Sequence, residues 1–209
     1  MQCKTPFINE SPLDESGRCR LCRAGVRGYD AAYSFGEYTG ALRRLIHLLK
    51  YQRIATLARP LAGWLSGALP LQERIDVIVP VPMHWLRLYS RGFNQAALLS
   101  AELARRTGLD HAPDALRRIQ GATPQARLTG AARRRNVTKA FTVRQPGQVA
   151  GKRILLIDDV LTTGATLAAC ARELKRAGAS RVVVLTLARV DRRQHVEPYE
   201  RRRAQGAGA

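Results

Sequence analysis

Residues 154–166 read Ile-Leu-Leu-Ile-Asp-Asp-Val-Leu-Thr-Thr-Gly-Ala-Thr. Asp158 and Asp159 can accept hydrogen bonds from vicinal ribose hydroxyls and help to hold a divalent cation. Thr162, Thr163 and Thr166 supply hydroxyl donors, while Gly164 and Ala165 give a phosphate room to approach the unpaired backbone N–H groups of a helix start. These residue types in this order describe a sugar-phosphate site. No lysine follows the glycine, which separates the segment from a nucleoside-triphosphate P-loop. A single glycine lies in the turn, so the Gly-x-Gly-x-x-Gly dinucleotide pattern is absent too.

Such a site needs a strand and a helix to carry it. Ile154 to Ile157 form a continuous apolar run, as expected of a strand buried on both faces of a parallel sheet, with Asp158 and Asp159 at its carboxyl end. Leu167, Cys170, Ala171 and Leu174 recur at helical spacing, and Gly178 ends that helix. Cys170 falls on the apolar stripe and reads as a buried structural thiol. Upstream, 29–35 alternates as a strand with Gly36 and Gly40 as its turn, and 41–51 is an amphipathic helix with Leu42, Leu45, Ile46 and Leu49 on one face. Arg43, Arg44, His47 and Lys50 make its solvated face. The pattern predicts a second helix over 57–69, with Trp64 in the core, and a short strand over 76–79 that Pro80 and Pro82 end. A last strand spans 181–188.

Between the 76–79 strand and a helix over 95–106, Val81 to Gln95 reads as a loop holding Arg87 and Arg91, placed to meet a second phosphate across the sheet crest from Asp158. Trp85 in this loop could stack a base or cover the surface, and His84 has no assigned role. Residues 114–144 carry Arg117, Arg118, Arg127, Arg133, Arg134, Arg135, Lys139 and Arg144 against Asp114 alone, with Thr123, Pro124, Gln125 and Gly130 marking a mobile stretch. A basic flap closing over a sugar phosphate and a groove for a nucleic-acid backbone both fit this cluster.

Ile154 to Thr166 resembles the 5-phosphoribosyl pyrophosphate (PRPP) signature of type I phosphoribosyltransferases. Val79-Pro80-Val81-Pro82 followed by Arg91-Gly92-Phe93-Asn94-Gln95 is similar to the signature of the ComF-type, competence-associated branch of that fold. Leu45 to Tyr51, Arg135-Asn136 and Ala140-Phe141 fit the same branch, so the resemblance runs from Cys3 to about Arg189. It implies an α/β domain with a central parallel sheet. It also implies ribose on Asp158 and Asp159, 5′-phosphate on Thr162, Thr163, Gly164, Ala165 and Thr166, and Mg2+-bound pyrophosphate on a loop containing Val81, Pro82, Arg87, Arg91, Gly92, Phe93, Asn94 and Gln95. Arg133, Arg134, Arg135 and Lys139 are then the basic flap. Phosphoribosyl transfer to an unassigned acceptor is the leading expectation. The others are single-stranded DNA handling beside a competence helicase or other DNA-uptake machinery, and a PRPP- or nucleotide-sensing regulator without turnover.

Cys3, Cys19 and Cys22 lie in a Gly-, Ser- and Pro-containing stretch that suits a small zinc knuckle. ComF-type proteins open with two Cys-x-x-Cys pairs, so the resemblance makes Cys3 the second member of the first pair, its partner falling before Met1. An incomplete Zn2+ set, a metal-free knuckle and a late start all remain open. The organisation expected is a cysteine-containing knuckle over 1–28, a phosphoribosyltransferase-like domain over 29–190 and a basic disordered tail over 191–209. The 209 residues are 45% hydrophobic, enough for one sizeable core, and carry a formal charge of +19. That charge suits an anionic partner, although arginines spread over solvated helix faces would give the same number. Apolar runs are too short for a membrane span and no signal core opens the chain, so the expectation is a cytoplasmic protein with reduced cysteines.

Overall fold

The computed structural model describes residues 2–3, 28–119 and 140–190. In chain order these form β1 (Gln2–Cys3), β2 (Ala31–Glu37), α1 (Gly40–Tyr51), α2 (Ala58–Gly67), β3 (Val77–Pro80), α3 (Trp85–Arg91), α4 (Gln95–Thr107), β4 (Asp110–His111), β5 (Leu116–Arg118), β6 (Phe141–Val143), β7 (Arg153–Leu161), α5 (Ala165–Arg176) and β8 (Arg181–Arg189). Six strands make one sheet in the order β1-β2-β8-β7-β3-β4, and every pairing in it is parallel. β5 and β6 form a separate antiparallel pair.

Period-two alternation divides the core. Ile154 and Leu156 of β7, with Val77, Val79, Val182 and Val184, pack toward Leu167, Cys170, Ala171 and Leu174 of α5. Leu155 and Ile157, with Ile78, Val183 and Leu185, pack toward Ile46 and Leu49 of α1, Leu61 and Leu65 of α2, and Leu99 and Leu103 of α4. Both faces of the central strands are covered, the doubly wound arrangement in which ligands bind beyond the carboxyl ends of the strands.

Several boundaries differ from the sequence pattern, each because pairing outweighs local preference. β2 takes in Gly36, which lies opposite Ala188 of β8, and the turn falls at Tyr38 and Thr39. β3 includes Pro80 opposite Ile157, while the Val81 N–H donates to the Ile157 carbonyl. Pro80's missing donor faces the side of β4, which pairs only with Val77 and Ile78, so no ladder bond is lost. β7 runs on through Asp158 and Asp159 to Leu161, held by pairing to β8. The second helix is shorter, preceded by a 3-10 turn at Ala55–Leu57. Trp64 lies beside its buried stripe, 37% exposed, with its ring stacked on Phe35, so it is not a core residue.

Gly28 fixes the entry to the sheet. A Cβ there would sit 2.4 Å from the Ala168 carbonyl oxygen, and its φ of +146° disfavours any side chain. Next to it, Asp30 accepts from the Val182 N–H at 2.7 Å and pairs with Lys175 at 2.7 Å, clipping β2 to β8 and α5. Gly28→Ala is therefore expected to lower unfolding free energy by about 2 kcal/mol or more, read from chemical denaturation.

Candidate functional site at the carboxyl end of the central strand

Successive residues of a strand face opposite sides of the sheet, and this separates the two carboxylates. Asp159 is buried and its Oδ1 accepts from Lys50 Nζ of α1 at 2.8 Å. Asp158 is half-buried and lines a small cavity with Val160, Thr162, Thr163, Gly164, Ala165, Thr166 and Leu167. Its Oδ1 accepts from the Asp159 N–H at 2.9 Å. Burial first, and the neighbouring Asp159 charge second, push the Asp158 carboxyl up to about 7; the Asp159 N–H and Lys50 only partly offset them. That donor and that cation are too little to offset the burial of the carboxyl.

The turn after β7 is shaped for close approach. Gly164 has φ 72° and ψ 0°, a left-handed conformation that glycine adopts without strain, and it stands immediately before α5. Thr163 Oγ1 accepts from the Ala165 N–H at 3.3 Å, and Thr162 and Thr163 are otherwise exposed. The cavity has a volume of about 40 Å³, room for one compact polar group and far below the several hundred Å³ of a cleft that swallows a whole ligand.

The segment 81–95 is not one loop. α3 carries Arg87 and Arg91, its start capped by His84, whose Nδ1 accepts from the Leu86 N–H at 3.2 Å, and its end turned by Gly92 at φ 83°. Sequence periodicity missed this helix because it buries none of its residues. Asn94 Nδ2 donates to the Val81 carbonyl at 2.9 Å and its Oδ1 accepts from the Ala96 N–H at 3.1 Å, so it ties the β3 end to the start of α4. Val81 is buried, Pro82 half-buried, and Phe93 packs on the core beneath α4. Gln95 is buried; its Oε1 accepts from Arg91 Nη1 at 3.4 Å, and its Nε2 has no partner among the described residues. Arg91 also lies 5.0 Å above the Tyr51 ring. Of this segment, Arg87 and Arg91 are the cations available to a ligand, and Asn94 and Phe93 are scaffold.

Arg117 and Arg118, grouped by sequence with the flap, instead sit on β5, paired to β6. Arg118 lies 5.5 Å over the Phe141 ring; burial and then the charge of Arg87 lower its pKa. Arg87 and Arg118 thus bring positive charge toward one another beside the strand ends, a convergence that sequence offered no signal for. Lys50 was missed likewise, since on a helical pattern it belongs to the solvated face. Cys170 is fully buried, and burial together with Asp158 pushes its thiol well up, as befits a structural residue. His47 is exposed. Cys19, Cys22, Arg133, Arg134, Arg135, Lys139 and the 191–209 tail lie outside the described residues, and of Cys3 only the β1 backbone pairing is described. Among the described residues no group of three or more His, Cys, Asp and Glu side chains could hold a metal, and no helix is long and apolar enough to cross a membrane.

Residues 47–202 match the Phosphoribosyl transferase domain family. The chain is 35% identical over 180 residues to DNA utilization protein YhgH of Salmonella typhi, covering 82% of this chain and 77% of that protein. It is 31% identical over 178 residues to Competence protein F of Haemophilus influenzae, covering 82% and 78%. Adenine phosphoribosyltransferase from Thermoanaerobacter pseudethanolicus superposes with a TM-score of 0.43 at 21% identity, over 66% of this chain and 83% of that one. The all-parallel sheet and its covering helices make this a type I phosphoribosyltransferase fold. The chain belongs to the phosphoribosyl transferase domain family, in the competence-associated ComF-type branch that includes YhgH and Competence protein F.

The raised Asp158 carboxyl gives a stability signature. Its folded-state pKa of about 7 exceeds the 3.8 of the unfolded chain, so the fold loses stability as pH rises from about 4 to about 7, and the loss is complete above that. Asp158→Asn should remove the dependence and leave the ligand-free variant more stable than the parent at pH 8 by on the order of 2 kcal/mol. Denaturant titrations of both proteins at pH 4.5 and pH 8 check this; equal differences at the two pH values would contradict it.

Proposed function

We propose that the chain binds a ribose 5-phosphate ligand, PRPP or a nucleotide, at the turn between β7 and α5, and that its chemistry is phosphoribosyl transfer. The observation that carries this reading is the cavity bordered by Asp158, Thr162, Thr163, Gly164, Ala165 and Thr166, where a raised carboxyl meets helix-start donors. Vicinal ribose hydroxyls donating to Asp158 would stabilise its charged form, and the 5′-phosphate would take the Thr162–Thr166 donors. The side chains also fit Mg2+, which is held in such sites by one or two carboxylates together with substrate phosphates, not by an all-protein cage. Asp158 is the carboxylate free for that purpose, because Asp159 is engaged by Lys50. Bound Mg2+ would neutralise charge on a departing pyrophosphate. Arg87 and Arg91 would share that task, and Gln95 Nε2, unpartnered among the described residues and on the amide that already holds Arg91, would suit an acceptor oxygen there. Catalysis would rest on positioning and on charge opposite the electron-poor anomeric carbon, with no protein nucleophile.

A second reading, single-stranded DNA handling, is favoured by what the relatives are called, a DNA utilization protein and a competence protein, and by the +19 charge. Zn2+ at Cys3, Cys19 and Cys22, a cytoplasmic location and a DNA-uptake partner belong to this reading.

Calorimetric titration with magnesium–PRPP should give saturable binding to the parent, and Asp158→Asn/Asp159→Asn should weaken it by about tenfold to a hundredfold, the worth of one charged hydrogen bond or more. Equal binding by the double variant would refute the ribose assignment. Pyrophosphate release in a screen of nucleobases supports transfer; tight binding with no release against any acceptor would make the protein a ligand sensor.

A further inference from the structure

Of the five α-helices described, α3 is the one with no buried residue. It is seven residues long, and a helix shorter than ~12–15 residues is marginal in water without tertiary packing. Its ends are secured: His84 Nδ1 caps the start, and the Gly92 N–H donates to the Leu88 carbonyl at 2.7 Å. Its outward face is not. Trp85 is 67% exposed, Leu86 54%, Leu88 43% and Tyr89 89%, and so much large apolar surface on one short element is rare in a monomer.

The placing of these side chains around the helix decides what kind of surface could cover them. At about 100° per residue, Trp85, Leu88 and Tyr89 fall on one face with Leu86 at its margin, and Arg87 and Arg91 fall on the opposite one. Arg91 is turned to the body of the protein, donating to Gln95 Oε1 at 3.4 Å and lying 5.0 Å over the Tyr51 ring of α1. This is an amphipathic helix set with its apolar face outward. No aspartate or glutamate occurs in 77–101 either, so that face of α3 carries charge of neither sign.

A nucleic-acid strand or an anionic lipid surface held here would need cations beside the rings, and the helix points its own cations the other way. A second copy of the same face has no such requirement. We infer that the α3 face of Trp85, Leu86, Leu88 and Tyr89 is a homodimer contact, two copies of the helix packing antiparallel across a two-fold axis. Each Trp85 then faces the second copy's Tyr89 and each Leu88 the second copy's Leu86, with no charge set against a like charge.

A buried aromatic side chain removes 150–250 Å² from water, so Trp85 and Tyr89 together offer roughly 230–390 Å² per copy, and the leucines add to it. The contact therefore falls at the small, reversible end of protein interfaces, below ~1,200 Å² in total. It also works against the +19 charge of each chain, a long-range repulsion that salt screens. Association through α3 should tighten as salt rises, the opposite of what an anionic partner would show. A dimer made this way would steady the helix that carries Arg87 and Arg91 in both copies.

The test is sedimentation equilibrium of the parent between about 1 and about 500 μM, at about 0.1 M and about 0.5 M NaCl. The expected result is a monomer–dimer equilibrium with a micromolar dissociation constant, tighter at the higher salt. Trp85→Ala/Tyr89→Ala and Leu88→Lys should each weaken it by about tenfold or more. Both change exposed side chains, so their thermal unfolding midpoints should match the parent's. The chain has two tryptophans, and in Trp64→Phe the emission of Trp85 should move to the blue as concentration rises through the dimer range. A parent that stays monomeric at both salts overturns the proposal. So does a dimer that loosens as salt rises, that survives either variant, or that forms without changing the Trp85 emission, because the contact then lies elsewhere. A monomeric parent that pellets with phosphatidylglycerol vesicles or binds oligo-dT, and loses this in Trp85→Ala/Tyr89→Ala, gives the face to an anionic partner and overturns it too.

Discussion

Two adjacent carboxylates on the central strand of a parallel sheet pose an electrostatic problem that shapes everything around them. Water solvates them poorly, and each raises the cost of ionising the other. Here the problem is half solved within the fold. Lys50 crosses from α1 to neutralise Asp159, which fixes the carboxyl end of α1 against β7. Among the described residues Asp158 receives a backbone N–H and partial relief from the Lys50 charge, and is left ionising near neutral pH, a state that a ligand with hydroxyl donors or a cation would relieve. Cys170 and the apolar stripe of α5 seal the other side of that carboxyl, so it opens toward the threonine–glycine turn.

The same division between scaffold and available chemistry runs through 81–95. Asn94 spends both ends of its amide on backbone groups, capping α4 and holding the Val81 carbonyl, which fixes how β3 hands the chain to α3. That rigidity lets Arg87 and Arg91 project from a helix and not from a wandering loop. Arg91 is further confined between Gln95 and the Tyr51 ring, and Arg87 senses Arg118 across from the β5–β6 pair. Cations from two separate parts of the chain, α3 and β5, are therefore brought together. An anionic ligand approaching them would meet a field already organised for it.

Positive charge is thus neither evenly spread nor confined to one run of arginines. Acid-free stretches supply α1 and α3, whereas the carboxylates Glu73, Asp76 and Asp30 are spent on Arg181, Arg153 and Lys175 near the opposite ends of the strands. Those pairs serve to anchor loops at the amino ends of the sheet. The formal charge of the whole chain conceals this polarity, which matters more for ligand and partner choice than the total.

Much of this protein was legible in its residues. The apolar run at Ile154–Ile157, the helical stripe of Leu167, Cys170 and Leu174, and the acid-to-threonine turn between them encode a strand, a helix and a junction through local periodicity and chain chemistry, which need no distant partner. Element ends were less legible: Gly36, Pro80 and Asp158 to Leu161 belong to strands only because β8 and β7 offer hydrogen bonds at the right register. α3 escaped because its exposed aromatics mimic no buried pattern. Lys50 reaches Asp159 across more than a hundred residues, and Arg118 comes to Arg87 from another layer. Tyr51 accepts Arg91 on its ring. Periodicity reports which face of an element is buried, whereas only the packed sheet decides which side chains from separate elements meet, and the electrostatics of this site reside in those meetings.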